Sequence, residues 1–297
     1  MSTIVVAGGT GFLGTALVRA LRGDGHAVTV LTRRPRRDGE VAWAPGESDA
    51  SWAPMFGGAE VVVNLAGSSI AGGRWTTARK REILESRTQA TRALVRACAS
   101  RPRPSRVFIS SSAIGVYGTR GDEPATERTA TGSDFLSSVG REWESLALQA
   151  APAARVVLLR TGMVLAREGG ALPQLALPFT LFAGGPLGSG RQYMSWIHLH
   201  DWIEIVKWAI ANPRVSGPLN ATAPGAVTNA EFARTLGGVL GRPAWLKTPA
   251  FALRLLLGEM ADALVLGGQR VVPDAAQRLG FVFRYEALEP ALTQIYS

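Results

Sequence analysis

Ala7-Gly8-Gly9-Thr10-Gly11-Phe12-Leu13-Gly14 follows the short apolar run Ile4 to Ala7 and opens the segment Phe12 to Leu21. In that segment Leu13, Leu17 and Leu21 recur at helical spacing. Gly8, Gly11 and Gly14 give a G-x-x-G-x-x-G pattern, and Gly9, Gly11 and Gly14 also satisfy G-x-G-x-x-G. Between a strand and a helix, such glycines permit a tight turn and let the backbone approach a pyrophosphate. The last one lets the helix lie close to the sheet. Free N–H groups at the helix start, aided by its dipole, attract the phosphates. Residues 8–14 are therefore read as the phosphate-binding turn of a dinucleotide site.

The next apolar run, Ala27 to Leu31, ends in Thr32-Arg33-Arg34. A site for an unphosphorylated ribose places an acid about 20 residues after the glycines, where it accepts from the hydroxyls. Two guanidiniums stand there instead. An acid would repel a 2′-phosphate, whereas arginine holds it through charge-assisted hydrogen bonds. The expected cofactor is NADP(H), with Thr32, Arg33 and Arg34 at its phosphorylated ribose. Arg36 and Arg37 are read as a solvated basic loop.

Strand and helix signals then alternate. Glu60 to Leu65 is a third strand, apolar on both faces, and Trp75 to Ala99 a long helix with Ile83, Leu84, Leu94 and Val95 inward. Strand Arg106 to Ile109, helix Phe135 to Ala150 and strand Arg155 to Leu159 follow. Such alternation predicts an α/β fold: a doubly wound parallel sheet with right-handed crossovers. Residues 1–165 are expected to form the dinucleotide-binding domain. Residues 166–297 are expected to form a smaller, mainly helical substrate lobe, with 248–297 a helical module within it. The glycine- and proline-rich stretch Ala166 to Arg191 reads as a loop that orders over ligand. Thr228 and Glu231 have capping-box spacing for a helix to Leu240. The leucine-rich start of the last module (Leu253, Leu255, Leu256, Leu257) is expected to be buried against the main domain rather than to lie on a membrane surface.

The net charge is +9, yet only Lys80, Lys207 and Lys247 are lysines and the arginines are spread along the chain. With no basic helix and no aromatic-interleaved basic motif, a nucleic-acid partner is not expected. No apolar stretch reaches the length of a membrane span, and Met1 to Ala7 lacks the pattern of a secretory leader. The lone Cys98, read as a small buried apolar residue, fits a reducing compartment, so a cytoplasmic protein, monomer or homodimer, is expected. His198-x-His200 lacks a plausible third ligand, so no metal site is expected.

With these residues in view the chain resembles the extended short-chain dehydrogenase/reductase superfamily, in its atypical NAD-dependent epimerase/dehydratase-like branch with a C-terminal domain of unknown function. The matching stretches are AGGTGFLG (7–14), LTRR (31–34), NLAG (64–67), RWT (74–76), ESRTQAT (85–91), SSSAIGVYG (110–118), LLRTGMVL (158–165), GGPLGSG (184–190) and SWIHLHD (195–201). GEMADALVLGGQRVVP (258–273) and LGF (279–281) resemble the C-terminal domain. The resemblance implies a Rossmann-type fold and further cofactor contacts at Leu65, Ala66, Gly67, Glu82, Arg87, Thr161, Gly162 and Met163.

It also implies a serine, matched by Ser112, and a Tyr-x-x-x-Lys pair on the following helix. Leu136 and Gly140 occupy the tyrosine and lysine positions, and no Tyr-x-x-x-Lys occurs in the chain. Tyr117, five residues after Ser112, and Tyr193 are the candidate replacements; His198 reads as structural. Arg191 resembles an arginine that binds substrate phosphate, which points to an anionic small-molecule substrate with Tyr193 beside it. Two functions stay open: an NADP-dependent oxidoreductase or nucleotide-sugar-epimerase-like enzyme with an altered proton donor, or a cofactor-binding sensor or interaction protein with little turnover.

Overall fold

The computed structural model describes residues 1–46, 52–56, 58–100 and 105–297. Seven parallel strands form its central sheet: β1 (Thr3–Ala7), β2 (Ala27–Thr32), β3 (Glu40–Ala42), β4 (Val61–Asn64), β5 (Val107–Ala113), β6 (Arg155–Thr161) and β7 (Gly217–Ala221). Their order is 3-2-1-4-5-6-7. The direction of winding therefore reverses between β1 and β4, which opens a crevice at the carboxyl ends of these strands.

Alternation along each strand fills both faces. Ile4, Val6, Val61, Val63, Val107 and Ile109 enter one core with Leu17 and Leu21 of α1 (Phe12–Gly23) and with the helix Leu199–Ala211. Val5, Ala7, Val62 and Phe108 enter a second core with Ala90, Leu94 and Cys98 of α2 (Thr77–Ala99) and Ala147 of α3 (Phe135–Leu148). Because side chains of a strand point alternately up and down, apolar runs of this kind are stable only when both faces are covered. No described helix is long and apolar enough to cross a membrane.

Four expectations change. The helix Leu199–Ala211 and β7 lie beyond residue 165 yet belong to the central layers, so the sheet domain does not end there. The stretch expected as a loop contains the helix Leu172–Thr180, whose Leu172, Ala176 and Phe179 enter a third core under the helices Asn229–Leu240 and Leu288–Tyr296. The long helix starts at Thr77, because the Thr76 side chain accepts from the Arg79 N–H and caps it. In the leucine-rich helix Ala250–Leu257 only Leu253 is buried; Leu255 and Leu256 are exposed. The capping box at Thr228 and Glu231 forms, with both reciprocal bonds present.

Candidate functional site

The glycine turn closes on itself at the end of β1. Gly8 has φ +78°, and a Cβ there would meet the Leu65 carbonyl at 2.8 Å. Gly11 N–H donates to the Gly8 carbonyl (3.1 Å). A Cβ on Gly14 would overlap that same carbonyl, so α1 can approach the turn only with glycine at this position. α1 starts at Phe12 with Gly11 as N-cap and no side chain bonding its first amides. Those donors are left without a side-chain partner, which suits a pyrophosphate. The Phe12 ring lies against Gly169 and Gly170, and Leu13 packs on the core below the turn.

Beside the turn lies a cleft of about 900 Å³ lined by Gly9, Thr10 and Thr32 and by six arginines: Arg19, Arg22, Arg33, Arg34, Arg36 and Arg37. Glu40 is the one carboxylate in its lining, and it accepts from the Arg36 N–H (2.7 Å). Arg36 and Arg37 line this cleft while remaining exposed to solvent, as expected of them. Arg22 is steadied by donating to the Val28 carbonyl (3.0 Å), and Thr32 Oγ1 accepts from the Arg34 N–H (3.4 Å). So dense a set of like charges repels itself, and an anion bound among them relieves that repulsion.

On the other side of β1, buried Asn64 shapes the chain leaving β4. Its Nδ2 donates to Thr91 Oγ1 (3.0 Å) and its Oδ1 accepts from the Ala66 N–H (3.1 Å). Leu65 N–H continues the ladder to the Ala7 carbonyl (2.9 Å). Gly67 faces the Arg87 guanidinium, which a Cβ would meet at 3.2 Å. Arg87 is buried; it donates to the Ser68 and Ile83 carbonyls (3.1 and 3.0 Å) and lies 5.2 Å from the Trp143 ring. Burial, and then repulsion from Arg79, lowers its pKa to about 10. Arg87 therefore holds the 67–68 loop in place from beneath. Glu82 is solvent-facing and ion-paired with Arg79 (2.6 Å), which also donates to the Ser69 carbonyl.

The two expected catalytic residues, Ser112 and Tyr117, sit in a buried polar row. Ser112 on β5, Arg160 on β6 and Asn220 on β7 are register partners across three strands. Glu144 of α3 drops onto this row. It accepts from Ser112 Oγ (2.6 Å) and, with both oxygens, from Arg160 (2.8 and 2.7 Å). Tyr117 Oη donates to Asn220 Oδ1 (2.7 Å) and accepts from Arg160 (2.9 Å), and Tyr117 is 1% exposed. Burial raises the phenol pKa although the Arg160 charge opposes the shift. Burial alone would lower the Arg160 pKa, but its hydrogen bonds and charge pairing with Glu144 hold it above its usual value. Tyr117 thus has both hydrogen-bonding directions committed and no access to solvent. In this geometry Tyr117 is a structural phenol, and service as the replacement proton donor would require these bonds to open.

α3 shows why its two expected chemical positions are empty. Leu136 joins an apolar cluster with Trp75, Ile83, Val139 and Met260. A Cβ on Gly140 would lie 3.0 Å from Val116 Cβ, so the helix rests closely on the 114–117 turn and a side chain there would have to displace Val116.

At the end of β6, Thr161 Oγ1 accepts from Trp202 Nε1 (3.1 Å), Gly162 abuts the Ser195 carbonyl, and Met163 N–H donates to that carbonyl (2.9 Å). Tyr193 is half-buried, with the Arg270 guanidinium 5.5 Å from its ring. Arg191 is exposed, its N–H donating to Ser189 Oγ (3.2 Å). His198 caps the helix Leu199–Ala211: Nδ1 accepts from the His200 N–H (3.0 Å), and Nε2 lies 2.9 Å from Gln294 Oε1.

A dinucleotide crevice, a parallel sheet wound 3-2-1-4-5-6-7 and these motifs agree with the comparisons. The profile of the NAD dependent epimerase/dehydratase family matches residues 4–221. The chain belongs to this family. A second profile, a domain of unknown function (DUF1731), matches residues 248–295. Among curated relatives of this epimerase family, the chloroplastic SDR39U1 homolog of Arabidopsis thaliana is 43% identical over 99% of this chain and 86% of its own length. YfhF of Bacillus subtilis is 40% identical over 98% and 97%. The crystal structure of human epimerase family protein SDR39U1 with NADPH superposes with a TM-score of 0.91 at 34% identity, covering 99% of both chains.

Within this epimerase-family frame, sequence reasoning missed Arg19 and Arg22, which line the cleft from α1. Their three-residue spacing puts them on one helix face, a signal that was available. It also missed Glu144, Arg160 and Asn220. Arg160 in Val156-Val157-Leu158-Leu159-Arg160 and Asn220 at the end of β7 are polar residues in apolar strands, which is the trace such a row leaves in a sequence.

Proposed function

We propose that this chain is an NADP(H)-binding, epimerase- or oxidoreductase-like protein acting on an anionic small molecule, with an atypical proton donor and slow turnover of simple carbonyl compounds. The observation that carries the reading is the wall of six arginines beside an uncapped glycine turn. The residues fit the cofactor: amides of 9–14 hold the pyrophosphate, Arg33 and Arg34 bind the 2′-phosphate, and Arg19 and Arg22 add positive potential. Leu65, Ala66 and Gly67 flank the adenosine side, with Arg87 fixing their loop. Thr161, Gly162 and Met163 border the nicotinamide side. Bound there, the nicotinamide ring supplies or accepts hydride.

Arg191, on the glycine-rich segment before Tyr193, binds the substrate anion, with Tyr193 beside it. Ser112 touches the reacting group only if its hydroxyl releases Glu144; otherwise it is a positioning residue. A second reading, a cofactor-binding sensor or interaction protein, is favoured by Leu136 and Gly140 at the expected tyrosine and lysine positions, by the sequestered Tyr117 and by Glu144 of α3, which is committed to Ser112 and Arg160.

Calorimetric titration with NADPH and NADH tests the first claim. Charge-assisted hydrogen bonds are worth about 1.5–3 kcal/mol each, and exposed arginines fall at the low end. Arg33→Ala and Arg34→Ala are each expected to weaken NADPH about tenfold and NADH less than about threefold. Equal affinity of the native protein for the two cofactors would overturn it.

A further inference from the structure

The helix Ala250–Leu257 presents Phe251, Leu255 and Leu256 to solvent at 73, 78 and 71% exposure, and Trp245 before it stands at 71%. Phe251 and Leu255 are four residues apart and share a helix face. The chain leading into this helix runs beside another exposed apolar segment. Leu246 N–H donates to the Gly184 carbonyl (3.1 Å), Thr248 N–H to the Pro186 carbonyl (2.9 Å), and the Arg242 guanidinium lies 4.5 Å from the Phe182 ring. Leu181 and Phe182 are exposed in turn, and Phe182 is the described non-glycine residue with a left-handed backbone (φ 57°). Monomeric proteins expose single apolar side chains freely, but several large ones exposed on one short helix and the chain leading into it mark an interaction surface. No described residue covers it.

Its charge selects the partner. From Phe232 to Gly258 the sequence holds no acid and four bases: Arg234, Arg242, Lys247 and Arg254. From Gly169 to His200 it again holds no acid. Arg254 is paired with Asp262 (2.9 Å), while Arg242 and Lys247 are exposed beside Trp245. Large aliphatic and aromatic side chains beside the exposed cations Arg242 and Lys247, with the neighbouring carboxylates Glu259 and Asp262 paired to Lys80 and Arg254, fit the headgroup and upper acyl region of an anionic bilayer. A second copy would bring the same cations face to face.

We infer that the surface around Trp245, Phe251, Leu255 and Leu256 seats the protein on an anionic membrane, lying on the bilayer without spanning it. The experiment is co-sedimentation of the full chain with phosphatidylcholine vesicles, with and without about 30 mol% phosphatidylglycerol. Binding to the anionic vesicles, weakened by salt, is expected. Lys247→Glu and Arg242→Glu are each expected to lower partitioning about fivefold or more. The triple change Phe251→Ser, Leu255→Ser and Leu256→Ser, all at exposed positions, is expected to lower it about 30-fold or more with unchanged circular dichroism.

Trp245 gives a direct readout. Of the eight tryptophans it alone is exposed, so brominated acyl chains should quench it ahead of the others. Four results would overturn the inference: no sedimentation with anionic vesicles, equal binding to neutral vesicles, a triple variant that binds as the native protein does, or a concentration-dependent dimer that the triple change abolishes without vesicle binding.

Discussion

Replacing Tyr117 by phenylalanine distinguishes a reacting phenol from a structural one. The residue is 1% exposed and its hydroxyl joins two partners, Asn220 Oδ1 at 2.7 Å and Arg160 at 2.9 Å. Removing it strands an amide oxygen and one guanidinium N–H. Each buried polar group left without a partner costs about 1–3 kcal/mol, and Arg160 keeps its two bonds to Glu144, so about 2–3 kcal/mol is expected in total. Unfolding entropy of about 2.1 cal/mol/K per residue, over 297 residues, converts this into a drop in Tm of about 3–5 °C. Differential scanning calorimetry reads the shift, and NADPH titration and turnover assays accompany it. Cofactor affinity and any measurable turnover should stay within about twofold of native at a temperature where both proteins are folded. Unchanged Tm with a fall in rate of about 10²-fold or more, the scale of general acid–base assistance, would refute the structural assignment.

Further outcomes follow from the same geometry. Glu144→Gln leaves Arg160 buried without its counter-charge and should cost about 3–5 kcal/mol in denaturant unfolding, with cofactor selectivity intact. Gly14→Ala places a Cβ on the Gly8 carbonyl and should abolish NADPH binding in calorimetry while circular dichroism shows a folded chain. Gly140→Lys should destabilise rather than activate, alone or with Leu136→Tyr, because its Cβ starts 3.0 Å from Val116 Cβ; brisk ketone reduction by the double variant would count against that packing argument. Burial holds the His198 pKa below its ordinary value of 6.5 although Gln294 opposes the shift. The unfolded chain therefore takes up the proton first, so stability is full above about pH 6.5 and declines as pH falls below it. His198→Asn, which keeps a capping oxygen, should flatten that part of the Tm–pH curve.

Much of the fold was legible because its signals are local. The glycine turn lies within eight residues, and the strands announce themselves by continuous β-branched runs such as Val61 to Val63. The sheet's last strand was not legible: Gly217-Pro218-Leu219-Asn220-Ala221 has a weak β signature and is separated from β6 by more than fifty residues of mixed character. At the site, Arg33 and Arg34 could be placed because their position is counted from the glycines. The partners of Ser112 and Tyr117 could not. They are set by strand register and by the approach of α3, which join residues up to 103 positions apart. The leucine-rich helix misled for a related reason. Hydrophobicity reports a wish for burial, but the structure grants it to Leu253 and withholds it from Leu255 and Leu256.

The polar row through β5, β6 and β7 does not stop at the sheet. Asn220 Nδ2 donates to the Val272 carbonyl (2.9 Å), and Glu127 accepts from the Asn220 N–H (3.0 Å) and the Ala275 N–H (3.2 Å). Ser195 Oγ is clasped between the Gln269 carbonyl and the Val271 N–H, at 2.8 Å each. The two family profiles end and begin at 221 and 248, so the seam between the sequence families runs there. The mechanical seam does not. A chain cut at residue 247 would unlatch the strand-end scaffold of the crevice along with its outer helices, leaving Asn220 Nδ2, one Glu127 oxygen and Ser195 Oγ without these partners. The terminal segment behaves as the keystone of the sheet's far edge, and the shortened chain is expected to melt before it loses any discrete function.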